Sequence, residues 1–147
     1  MRPPAERPRR LARWLALGLL CSSTLGCKSD AERAHQGQVA RIAEHIDRLR
    51  RADNRDKREP LAALAAIPCP DADACALQDL CLRAYRLHQS ALDAISSLEQ
   101  LSRSNTPAPS DVGQRLQQAQ TDLAQAKTLS EECTEQQIRV VRKALIP

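Results

Sequence analysis

The chain has 147 residues, 42% of them hydrophobic and 27% charged, with a formal net charge of +4. Five of its 22 basic and one of its 18 acidic residues fall in residues 1–26, so the remainder has no net charge and no charge-based case for binding nucleic acid. One Trp, one Tyr, no Phe and only four Gly exclude aromatic stacking platforms and a glycine-rich phosphate loop.

Arg2, Arg7, Arg9, Arg10 and Arg13 precede an uncharged run over 14–27 whose apolar centre is WLALGLL. A bilayer span needs ~20 apolar residues, so this run is too short to cross one. A basic opening, a short apolar run and small residues after it form the pattern of a cleaved export signal, which takes no part in the fold. Arg9-Arg10 does not make it a twin-arginine signal, because Arg13 stands where that pattern has an apolar residue.

Thr24, Leu25, Gly26 and Cys27 close this segment and resemble the cleavage site of bacterial lipoprotein precursors. Gly26 matches the small residue that the family has before the cysteine, whereas Thr24 and Leu25 depart from its usual Leu and small residue. The resemblance covers residues 1–27 and implies cleavage of residues 1–26 and acylation of Cys27 through a thioether-linked diacylglycerol. It further implies attachment to a lipid bilayer of the cell envelope. Lys28 and Ser29, in place of an Asp after the cysteine, imply the outer membrane facing the periplasm. Ordinary cleavage after Ser23 or Gly26 is the alternative, and it leaves Cys27 as a spare thiol. Cysteine parity weighs against that alternative. Cys69, Cys75, Cys81 and Cys133 make an even set in an exported chain, where disulfides persist, and Cys27 is the odd one.

Residues 27–29 are the anchor and a short tether, and residues 30–147 read as one helical domain. Val39, Ile42, Ile46 and Leu49 recur at helical spacing, and Glu44–Arg48, Asp47–Arg51 and Asp53–Lys57 are i,i+4 pairs, so a first helix is expected over about 30–58. Pro60 and Pro68 bracket LAALAAI, a short helical connector expected to lie across the end of a bundle. After Pro70, Asp71 is an N-cap for a second long helix carrying Leu77, Leu80, Ala84, Leu87, Ala91, Ala94, Leu98 and Leu101, widened by Cys81, His88 and Ile95. Residues 102–111, SRSNTPAPSD, read as a loop. A third long helix over about 112–146 has a heptad seam of Val112, Leu116, Ala119, Leu123, Ala126, Cys133, Val140 and Ala144, interrupted at Ser130 and Gln137. The pattern predicts an all-α fold, an antiparallel up-down-up three-helix bundle with coiled-coil-like seams and a short connecting helical segment.

In a hairpin of helices, facing residues are equidistant from the turn, and the midpoint of Cys81 and Cys133 is residue 107, inside the 102–111 loop. Cys75 would face about residue 139, roughly 9 Å of helix rise from Cys133. Cys75 and Cys81 point ~120° apart on one helix and cannot join without unwinding it. The expected pairs are therefore Cys81 with Cys133 and Cys69 with Cys75.

No constellation of catalytic residues is present, and no cofactor is implied. The chain lacks CxxC and CxxCH, the six-residue spacing of Cys69, Cys75 and Cys81 is not a zinc spacing, and His45 with Glu44 and Asp47 is not HExxH. His88, seven residues after Cys81, makes a Cys/His pair conceivable, but a histidine at the edge of an apolar stripe accounts for it. His35 and His45 read as a polar rim, Tyr85 as packing beside the bundle with a wet hydroxyl, and the basic run around Arg48, Arg50, Arg51, Arg55, Lys57 and Arg58 as a solvated face. The expected function is that of a non-enzymatic lipoprotein, held to the bilayer through Cys27, which acts by helical contact with another envelope protein and not with nucleic acid. The rival is an exported redox or metal-handling protein using Cys69, Cys75, Cys81, Cys133 and the histidines.

Overall fold

A computed structural model describes residues 29–104 and 109–145; the expected signal, the lipobox and Cys27 lie outside the described residues. Four helices make up the fold: α1 (Asp30–Arg51), α2 (Arg58–Ala65), α3 (Ala72–Arg103) and α4 (Val112–Leu145). There is no strand among the described residues. The first and third of these open on side-chain caps. Ser29 Oγ accepts the Glu32 N–H at 3.1 Å, and an Asp71 carboxylate oxygen accepts the Ala74 N–H at 2.8 Å, each meeting a donor that the helix itself leaves unpaired.

The first helix stops at Arg51 and not near 58. Asp53 and Asn54 favour turns. Lys57, expected to pair with Asp53 on an exposed helix face, instead folds back, and its ammonium donates to the carbonyls of Leu49 and Ala52 at 3.0 and 2.7 Å. The connector is a helix in its own right, with Pro60 in its first turn, where a missing N–H costs nothing. Leu61 and Leu64 are buried from it, and the Gln78 amide donates to the Leu64 and Ile67 carbonyls at 2.6 and 2.8 Å, closing its C-terminal end.

This connector changes the topology. It lies alongside α3, from Arg58 beside Asp93 to Leu64 beside Gln78, and not across the end of the helices. About 12 Å of helix, followed by residues 66–71, is enough chain to return along much of the ~33 Å rise of α1. The start of α1 therefore stands beside the start of α3, where His35 meets Asp71, while Gln137 of α4 meets Ala43 and Asp47 of α1. α1 and α3 run parallel, α2 and α4 run against them, and the expected up-down-up order of three helices is replaced by four alternating ones.

The core fills one end of this arrangement. Val39, Ile42, Ile46 and Leu49 of α1 pack with Leu61, Leu64, Leu77, Cys81, Leu82, Tyr85, Cys133 and Val140. Burial in α3 ends at Ala91, and in the opening turns of α4 only Ala119 is buried. There α3 and α4 continue as a hairpin whose Leu98, Leu101, Val112 and Leu123 are half-buried and whose Leu116 is 41% exposed. Alanines on both seams allow close approach but remove little apolar area each, at ~25 cal/mol per Å².

Candidate functional site

One end of the domain gathers the start of α1, the start of α3 and the end of α4. The His35 ring meets one oxygen of Asp71, whose other oxygen caps α3, and Lys143 pairs with Asp73. The Ala74 N–H and then the His35 ring hold the Asp71 carboxyl below the usual carboxylate range, and Asp73 raises Lys143. Val39, Val140 and Ala144 line a cavity of about 190 Å³ between these pairs. Small-molecule pockets run to about 300–1,000 Å³, so this one is too small to enclose a typical ligand, and half-exposed ion pairs contribute little stability. What the arrangement can do is tie three helix ends together.

All four cysteines of the domain sit in pairs. Cys69 and Cys75 stand with Cα atoms 5.1 Å apart across the bend at the start of α3, and so do Cys81 and Cys133, level with each other on α3 and α4. Each pair is joined through sulfur, which leaves no thiolate at Cys81 for His88 to activate. His88 has a buried Nδ1 with no hydrogen-bond partner among the described residues. Burial, and then the charge of Lys57, push this imidazole below the ordinary histidine range, so it is neutral at pH 7. Among the described residues no group of three or more His, Cys, Asp or Glu side chains stands close enough to hold a metal ion. His45 remains a half-buried side chain on α1.

The basic run is mostly what its composition indicates. Arg48 pairs with Glu44, Arg50 with Asp47 and Arg58 with Asp93, all at the surface. Lys57 is the exception, at 5% exposure, with its ammonium 5.5 Å from the centre of the Tyr85 ring. Burial lowers its pKa from the ordinary lysine value, and Asp53 opposes the shift. Tyr85 is itself in the core, at 8% exposure, and not a residue packed outside the bundle. The one advance signal for Lys57 was the Asp53-Asn54 turn pair, which takes it out of α1.

Gln137, which interrupts the heptad seam, joins α1 to α4. Its amide donates to the Ala43 carbonyl and the Asp47 carboxylate at 3.2 and 3.1 Å, and its carbonyl accepts from Arg50 at 2.8 Å. No helix among the described residues is long and apolar enough to cross a membrane. The fold and these sites define a small all-helical domain with two cysteine pairs. Comparison with known protein families, curated proteins and solved structures returns no match.

Proposed function

We propose that this chain is the precursor of a small, non-enzymatic lipoprotein of the bacterial cell envelope. Residues 1–26 are removed, Cys27 carries the lipid, and the domain stands at the outer membrane facing the periplasm, where it acts by helix contacts with another envelope protein. The long helices, with their coiled-coil-like seams, serve as the contact scaffold. The two disulfides form on export and offset a core built largely from Leu, Ile and Ala.

The observation that carries this reading is the position of the first cap. α1 opens with Ser29 as its N-cap, two residues after Cys27 in the sequence. A domain anchored at Cys27 through so short a lead meets partners that themselves lie near the membrane.

Metabolic labelling with a fatty acid tests the anchor. The wild-type chain takes up label and has a mature mass that includes lipid, whereas Cys27→Ser takes up none and accumulates as uncleaved precursor. Equal label in the two proteins, or a wild-type mass without lipid, returns Cys27 to being a spare thiol. Affinity capture of the membrane-attached protein then identifies the partner, and thiol titration separates the contact protein from a redox one. Free thiols at the four paired cysteines favour the latter.

A further inference from the structure

Among the described residues three large apolar side chains are exposed, Leu116, Ile138 and Leu145, and two of these lie in the last turns of α4. Ile138 is 54% and Leu145 42% exposed. Seven residues make two turns of helix to within ~20°, so the two side chains share one face. Half-buried Val141 and exposed Arg142, three and four residues after Ile138, complete a row on that face. From residue 136 to residue 145 α4 carries Arg139, Arg142 and Lys143 and no acidic residue. Arg139 stands 3.9 Å from Glu135 and Lys143 2.5 Å from Asp73, whereas Arg142 has no carboxylate within ion-pair distance among the described residues.

Two further facts select what covers this row. Glu32 and His35 of α1 line one cavity with Val140, Lys143 and Ala144 of α4, so the end of α4 stands beside the start of α1. Ser29 follows Cys27 by two residues, at most ~7 Å of chain, so a lipid on Cys27 holds this corner at the bilayer surface. The carboxylates here are mostly met, Asp30 by Arg33, Asp71 by His35 and Asp73 by Lys143, which leaves Arg142 as a charge for an anionic headgroup to neutralise. Exposed apolar side chains interleaved with unpaired cations are the chemistry of a helix face that rests in a lipid interface.

We propose that the Ile138–Val141–Arg142–Leu145 face of α4 lies against the bilayer that carries the Cys27 lipid, a proposal that rests on the lipoprotein reading. Ile138 and Leu145 enter the headgroup region, and the Arg142 stem lies along it with its guanidinium on lipid phosphate. Two exposed side chains bind a membrane weakly by themselves, but a covalent anchor keeps them at high effective concentration beside it. The contact then fixes which side of the domain faces away from the bilayer.

The chain left after cleavage has no Trp, because Trp14 falls in residues 1–26, so one introduced indole reports one position. Ile138→Trp and Leu145→Trp are made in the mature protein, whose mass checks the lipid, and reconstituted in vesicles of phosphatidylethanolamine and phosphatidylglycerol with brominated acyl chains. Gln125→Trp, at an exposed position ~140° round α4 from Ile138, is the control. Bromine should quench the indole at positions 138 and 145 and spare the one at 125. Adding Arg142→Gln to Ile138→Trp should shift the contact about fivefold toward release, the worth of one cation at an anionic surface. Quenching at 138 and 145 no greater than at 125, or unchanged by Arg142→Gln, would overturn the contact and leave the anchor in place. Shielding of the Ile138→Trp indole in detergent without vesicles, rising with protein concentration, would make a second copy the occupant and overturn it too. A mature mass without lipid overturns the anchor, and this contact with it.

Discussion

Removing the link between Cys81 and Cys133 should destabilise the domain far more than removing the one between Cys69 and Cys75, although the two pairs have the same Cα separation of 5.1 Å. The difference lies in the unfolded chain. A cross-link lowers unfolded-state entropy by a constant plus a term in the logarithm of the loop it closes. Separations of 52 and 6 residues give about 4 and about 2 kcal/mol at 25 °C. For a domain of this size each kcal/mol moves the melting temperature by about 4 °C, so the losses are about 16 °C and about 8 °C. Cys81→Ala/Cys133→Ala and Cys69→Ala/Cys75→Ala, melted by far-UV circular dichroism beside reduced wild-type protein, read this directly. Both Cys81 and Cys133 are fully buried, so their truncation adds a packing loss in the same direction, which the reduced wild-type protein separates from the entropic term. Equal losses in the two double variants, or a larger loss for the short link, refute the reasoning.

Three other outcomes follow from single side chains. Lys57→Met keeps the buried alkyl stem but leaves the Leu49 and Ala52 carbonyls without their donor, so denaturant unfolding should show a loss of about 1–3 kcal/mol, whereas unchanged or higher stability would show that burying the ammonium outweighs its bonds. Asp71→Ala removes the cap on α3 and should cost about 1 kcal/mol, with the largest loss of amide-exchange protection in its first turn. The folded-state pKa of His88 is depressed, so the unfolded chain binds its proton first on acidification. Stability attributable to His88 is complete above the ordinary histidine value of 6.5 and falls as pH drops from there toward the folded value. His88→Leu should flatten that part of a stability-against-pH curve, and an unaltered slope would exclude His88 as its source. Asp71, also depressed, accounts for a further loss only as pH falls through and below the carboxylate range, because its contribution is complete above 3.8.

Helix type and most helix ends were legible without tertiary information because they depend on local chemistry. The spacing of Val39, Ile42, Ile46 and Leu49 marks an apolar face whatever it packs on, and all four are fully buried. Asp71 after Pro70 is a cap because a short carboxylate reaches the third N–H of its own helix. Pro, Ser and Asn over 102–111 cannot sustain a helix, and α3 and α4 end and begin at that break. Heptad spacing on α4 likewise picked out Ala119, Ala126, Cys133 and Val140, each of which is buried.

What only the tertiary structure decided is direction, and the polar groups that depend on it. Whether LAALAAI crosses the end of the bundle or turns back along α3 is set by where the C-terminal carbonyls of α1 and α2 find donors, and those donors, Lys57 and Gln78, come from other elements. In one dimension Lys57 is the partner of Asp53 four residues away, and Gln137 is a flaw in a heptad. Each takes its role from neighbours that the periodic pattern does not reveal: Leu49 and the Tyr85 ring for Lys57, and Ala43 and Arg50 for Gln137. Apolar burial is nondirectional and leaves a periodic trace in the sequence, whereas a hydrogen bond to a remote carbonyl is a single directional contact and leaves none.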